Sequence, residues 1–141
     1  QIIQIVTLAV VFMLLGPLSL LIWVTSSIWS ILLLETVNYV EHYGLRRKIN
    51  AKGRAEKTRP CHSWNSNASF GRALLFDLTR HSDHHANPNR PHHELRHFDD
   101  SPQLPAGYAA MIILATVPPL WFRIMDKTLD SELARLDTIA A

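Results

Sequence analysis

The stretch Leu78-Thr79-Arg80-His81-Ser82-Asp83-His84-His85-Ala86-Asn87-Pro88 places three imidazoles at i, i+3 and i+4. On a helix turning about 100° per residue, His84 falls about 60° to one side of His81 and His85 about 40° to the other. All three rings then leave one face within a single turn, as a metal site requires of a helix. Imidazole-rich coordination suits iron, copper or zinc, and spacing alone does not choose among them. The plain alternative is a polar helix end with solvated histidines; three on one arc favour ligands.

A second imidazole, His42, closes the run Glu35-Thr36-Val37-Asn38-Tyr39-Val40-Glu41-His42. Stepping back from it by four and three gives Asn38, Glu35, Ile31, Ile28, Val24 and Leu21. That helical stripe is apolar for three turns and then polar for two, so a helix–helix seam alone does not account for it. A carboxylate inside an otherwise uncharged apolar helix is costly and points to function. Glu35 lies about 10 Å from His42 along such a helix, too far to be its partner, and is expected to support a ligand histidine from a neighbouring helix. Glu41 is either a second carboxylate of that kind or solvated. Asn38, Asp83 and the loop residues His62 and Asn65 complete the candidate supporting groups.

His93-Glu94-Leu95-Arg96-His97 matches the zinc-protease pattern H-E-x-x-H. That chemistry needs a helix to bring both histidines to one face. Pro91 precedes the pattern, Pro102 closes the acidic stretch after it, and no hydrophobic face surrounds it. His92, His93 and His97 are read as exposed loop histidines.

The elements that must hold these groups follow from charge and hydropathy. No charged residue occurs from Ile2 to Leu34, and no Lys or Arg before Arg46, so all 14 basic residues lie beyond the apolar region. A bilayer-spanning helix needs about 20 apolar residues. Pro17 to Tyr43 is expected to span, with Pro17 in its first turn, and Gln1 to Leu15 to be the shortened end of a preceding span that turns at Gly16-Pro17. The chain opens on Gln1 inside an apolar run, and is expected to be the C-terminal part of something longer. Between Arg46 and Arg59 stand seven basic residues and one acid, Glu56, which the positive-inside tendency places in the cytoplasm. No aromatics interleave with them, so phospholipid headgroups explain the stripe better than nucleic acid. Phe70, Leu74 and Leu78 form an apolar stripe running into His81 and His85, which predicts one helix from about Phe70, with Ser66, Asn67 or Ser69 as candidate caps and Asn87-Pro88 as its end. Ala106 to Phe122, broken by Pro118-Pro119, reads as an interfacial or re-entrant helix, followed by a polar tail. Cys61 is the sole cysteine, which excludes an internal disulfide and makes a cysteine-held metal cluster implausible.

Asn38-Tyr39-Val40-Glu41-His42-Tyr43-Gly44-Leu45, together with Arg80-His81-Ser82-Asp83-His84-His85-Ala86, strongly resembles the membrane-bound alkane hydroxylases (alkane 1-monooxygenases) of the histidine-rich fatty-acid desaturase and hydroxylase superfamily. The likeness extends through His62 to Asn67, Pro102 to Tyr108, and Pro118 to Asp126, covering nearly the whole chain. The resemblance implies an all-α membrane protein. Residues 1–45 would be the last two transmembrane helices of a six-helix bundle, residues 46–128 a cytoplasmic catalytic part, and residues 129–141 a polar tail. It implies two non-haem iron ions, with His42, His81, His84 and His85 among their ligands and the other ligands on earlier helices. At Cys61 the chain departs from relatives that carry a further histidine, and the His92–His97 cluster has no counterpart in the pattern.

The activity so implied is hydroxylation of the terminal methyl of medium-chain n-alkanes to 1-alkanols, with O₂ and electrons from rubredoxin, at a bacterial inner membrane with the site facing the cytoplasm. An alkyl chain is expected along Leu21, Val24, Ile28 and Ile31, with its end near His42. The basic loop is a candidate surface for the electron donor. A methyl-aromatic hydroxylase or fatty-acyl desaturase is the alternative within the superfamily. A histidine-rich metal transporter is the alternative outside it, disfavoured because the histidines gather at one end of the apolar segment. The isolated fragment is expected to be inactive.

Overall fold

The computed structural model describes residues 1–140. Five helices carry the fold: α1 (Ile2–His42), α2 (Ser69–Leu74), α3 (His81–Ala86), α4 (Tyr108–Ala115) and α5 (Pro118–Ala140). Single 3₁₀ turns form at Pro60–His62 and His92–Glu94. Among the described residues there is no strand, only isolated bridges at Ile49–Ala55 and Asn65–Gln103. The chain divides into two compact units, Gln1–Thr36 and Val37–Ala141.

The first unit is α1 up to Thr36, within the one helix among the described residues that is long and apolar enough to cross a membrane. Its large apolar side chains are exposed nearly throughout, as a surface meant for lipid or for other helices would be. Its hydroxyls turn inward instead: Thr7, Ser19, Thr25, Ser27, Ser30 and Thr36 each donate to the carbonyl four residues back. That satisfies a polar group where water is scarce. At Gly16 the backbone leaves helical geometry (φ 82°, ψ 178°), and two helices merge across a kink there. Proline disfavours helical dihedrals in the residue before it, and glycine takes the positive φ without a Cβ penalty. Gly16-Pro17, where a turn between two helices is expected, is thus the point at which one helix gives way to another across a kink.

The second unit is built on Val40, Trp64, Leu104, Tyr108, Met111, Trp121 and Met125. A short extended segment stitches it together. Trp64 N donates to Glu41 O, Asn65 N to Pro102 O, Leu104 N to Asn65 O, and Ser66 N to Thr79 O. The basic segment folds on itself through the Ile49–Ala55 bridge, with Asn50 Oδ1 accepting from the N–H groups of Lys52 and Arg54.

Two sequence expectations are corrected here. The helix expected from Phe70 to His85 is two helices. α2 stops because Phe76 and Asp77 take positive φ (51° and 61°), Asp77 N donates to Arg72 O, and Arg72 Nε bonds Asp77 Oδ1 at 2.6 Å. No side-chain hydrogen bond caps the start of α2; its N-cap is Ala68. The prolines at 118 and 119 likewise do not break a helix but begin one. α4 ends before them, and the tail after Asp126 continues as α5. A helix's first turn needs no proline N–H.

Candidate metal centre

The exit turn of α1 and the six-residue α3 bring their imidazoles together within the second unit. His42 Nε2 lies 3.3 Å from His81 Nε2, and the ring centroids of His81 and His85 are 4.3 Å apart, with His42 and His85 at 5.0 Å. Ligand atoms of His42, His81 and His85 all fall within 4.8 Å of one another. Nitrogens that share an ion at about 2.1 Å sit roughly 3.0–3.4 Å apart, so the first pair already has coordination spacing. His84 stands beside the trio, its ring 5.8 Å from His81 and 5.6 Å from His85, but does not join it.

Electrostatics keeps these rings in the state a metal binds. Burial, then the neighbouring rings of His85, His42 and His84, pushes the His81 imidazole down to about 2. Burial also lowers His85, helped by His42, His84 and Arg47. Neutral imidazoles with free lone pairs result, as coordination demands.

Glu41 is buried, and its Oε1 lies 3.3 Å from His81 Nδ1. Burial raises the Glu41 carboxyl to about 8; ionised beside a cation at the rings, it would favour the tautomer with the His81 proton on Nδ1 and leave the Nε2 lone pair for the ion. This is the arrangement in which a carboxylate orients a metal-bound histidine. The site thus contains four groups in register: a carboxylate, the ring it orients, and two further rings.

The remaining predicted residues fall elsewhere. Glu35 belongs to the first unit and is exposed there; Asn38 is exposed and makes no side-chain hydrogen bond among the described residues. The four stripe residues Leu21, Val24, Ile28 and Ile31 are exposed on the first unit. His62 is buried with both ring nitrogens engaged: Nδ1 accepts from Arg59 N at 3.0 Å and Nε2 faces Glu56 Oε1 at 3.2 Å. It secures the basic segment and offers no free lone pair. Asp83 points away from the imidazoles into a fully buried position. It accepts from Asn87 Nδ2 at 2.6 Å and Arg96 N at 2.8 Å, with Arg96 Nε and Arg90 at 3.4 and 3.5 Å. Burial alone would raise its carboxyl, but these donors hold it below the usual range. Asp83 therefore fastens α3 to the 90–96 loop.

Asn65, half-visible in the sequence, is a node of the support: its amide donates to Ser101 Oγ and its carbonyl oxygen accepts from Ser82 N on α3. Trp64 carries no signal in the histidine spacing, yet its Nε1 donates to Tyr43 O at 2.7 Å, and Tyr108 Oη donates to Trp64 O. A tryptophan set among Ser63, Asn65 and Ser66 was the available signal. In the H-E-x-x-H stretch only His92–Glu94 forms a 3₁₀ turn, and Leu95 is extended. His93 pairs loosely with Glu94 and His97 with Asp99, so that pattern has no helix on which to act.

Comparison with known proteins bears on this geometry. A family model for fatty acid desaturases matches residues 1–115. An alkane 1-monooxygenase of Acinetobacter baylyi is 54% identical over 104 residues, 74% of this chain and 26% of the relative. Alkane 1-monooxygenase 1 of Pseudomonas aeruginosa is 52% identical over 111 residues, 79% of this chain and 29% of the relative. The hydroxylase component of a xylene/toluene monooxygenase from Pseudomonas putida is 31% identical over 112 residues, 79% of this chain and 29% of the relative. The chain spans roughly a quarter to three-tenths of the length of these curated relatives.

Proposed function

Taking as premise that the chain belongs to the fatty acid desaturase family, we propose that it carries part of the metal centre of a membrane-bound, non-haem di-iron alkane hydroxylase. The observation that carries the reading is the 3.3 Å approach of His42 and His81, with His85 in the same cluster. Two stretches far apart in sequence have no structural need to meet through bare imidazole nitrogens.

In this reading His42, His81 and His85 hold iron, with His84 placed for a second ion and further ligands supplied outside this chain. Iron held there would supply the redox chemistry of O₂ activation, by which one oxygen atom enters a terminal C–H bond and the other leaves as water, with two electrons from rubredoxin and two protons. Glu41 keeps the His81 proton on Nδ1. Asp83 and Asn65 hold α3 at a fixed height, so the rings do not have to reorganise. Glu35 and Asn38 are polar groups of α1 for ligands on neighbouring helices. Leu21, Val24, Ile28 and Ile31 offer apolar surface to a medium-length alkyl chain. The basic segment after α1 supports a centre on the cytoplasmic side of an inner membrane, by the positive-inside tendency.

The substrate assignment rests on the relatives' names: those called alkane 1-monooxygenases are 43–54% identical, the xylene/toluene enzyme 31%. Product analysis of the full-length protein tests it. Supplied with O₂, an electron donor and an n-alkane, a methyl-aromatic or a fatty-acyl substrate in turn, it is expected to form the 1-alkanol fastest. A benzylic alcohol or an unsaturated acyl product in its place would move the assignment to the sister activity. Larger side chains at Val24 or Ile28 are expected to shorten the preferred alkane; an unchanged chain-length profile in active variants would remove the stripe from the substrate path.

A further inference from the structure

The family model for fatty acid desaturases matches residues 1–115, and α5 follows that segment. Yet α5 is packed against the residues on either side of His42. Trp121, buried, lies 5.3 Å ring to ring from both Tyr39 and Tyr43. The Tyr43 hydroxyl donates a hydrogen bond to the Asp126 carboxylate. Leu129 covers Gly44 so closely that a Cβ there would sit 2.1 Å from its Cδ2. On the opposite side, Trp64 holds the Tyr43 carbonyl. The last turn of α1 is therefore gripped at 39, 43 and 44, immediately around the imidazole at 42.

We propose that α5 is a positioning element for His42, acting through Tyr43 and Asp126. This rests on the reading of His42 as a metal ligand. Tyr39 on α1 and Tyr43 immediately after its end are four residues apart, so Trp121 and Asp126 together set the rotation of that last turn about the helix axis. Rotation is what decides whether the next side chain, His42, faces His81 and His85. An O–H bond to a carboxylate is directional and stronger than a neutral pair, which suits it to fix an angle rather than merely fill space.

The test is metal retention in the full-length enzyme. Cobalt(II) is loaded in place of the native metal, its visible spectrum is recorded, and its loss to a chelator is timed. Tyr43→Phe and Asp126→Ala are expected to release cobalt about ten-fold faster, within the range for lost supports of a metal ligand, and to alter the spectrum. Asp126→Asn, which keeps an acceptor oxygen, is expected to restore most of the retention. Wild-type release and spectrum in both Tyr43→Phe and Asp126→Ala, whatever their melting temperatures, would overturn the proposal and leave α5 a packing element. His81→Ala serves as the reference: its loss of cobalt with no effect at 43 or 126 sinks only the α5 proposal, whereas its full retention sinks the metal-site reading beneath it.

Discussion

Glu41 Oε1 and His81 Nδ1 lie 3.3 Å apart across the gap between the end of α1 and the start of α3. Glu41 is thus the carboxylate that faces a candidate ligand, on the same turn as His42. Burial raises its carboxyl to about 8; ionised beside a bound cation, it would hold the proton on Nδ1 and leave the other nitrogen to bind metal. Glu41→Ala is expected to weaken metal binding by about 10–100-fold, and Glu41→Gln, which retains an acceptor, by less. Metal content after dialysis against graded chelator reads both; equal retention in all three proteins would remove Glu41 from the site.

Asp83 has the opposite assignment, a carboxylate amid histidines that holds none of them. Its oxygens take the Arg96 N–H and the Asn87 amide, so its loss frees the 90–96 loop. Asp83→Ala is expected to cost about 2–3 kcal/mol, the scale of buried hydrogen bonds to a charged group. The arginines reach solvent, which limits the penalty from charges left behind. Denaturant unfolding of the solubilised protein measures the loss, and a change below about 0.5 kcal/mol, the scale of an ordinary surface substitution, would contradict the assignment.

Gly44 is needed twice over: its φ is +70°, and Leu129 occupies the space of a Cβ. Gly44→Ala is expected to destabilise by about 2–4 kcal/mol, combining backbone strain with overpacking. Adding Leu129→Ala in that background is expected to recover the packing share and leave the strain. Melting curves of the two single variants and the double variant separate the shares; strictly additive losses would show that the two positions do not touch.

The sequence made some of this legible and hid the rest for physical reasons. Histidines at 81, 84 and 85 before Asn87-Pro88 mark a helix end, and α3 does end at Ala86 with Asn87 as its cap. Periodicity reported Phe70, Leu74 and Leu78 as one stripe, but these are exposed in whole or in large part. The break at Phe76 and Asp77 depends on a local Arg72–Asp77 bond that apolar spacing does not register. Of the two carboxylates on α1, membrane cost points to Glu35. Which of them meets a histidine depends on where α3 is held, by Asn65 through Ser82 N, and no spacing along α1 contains that. The prolines at 118 and 119 were ambiguous between stopping a helix and starting one. Trp121, Met125 and Leu129, recurring at four residues, were the signal for starting.

The central claim is that imidazoles from the end of α1 and from α3 hold one redox metal. The most direct measurement is metal per protein, together with O₂-dependent 1-alkanol formation, in full-length wild type and His81→Ala. The account predicts bound iron and alcohol in the wild type and loss of both in the variant. A His81→Ala protein that keeps its iron and forms alcohol at the wild-type rate would contradict it.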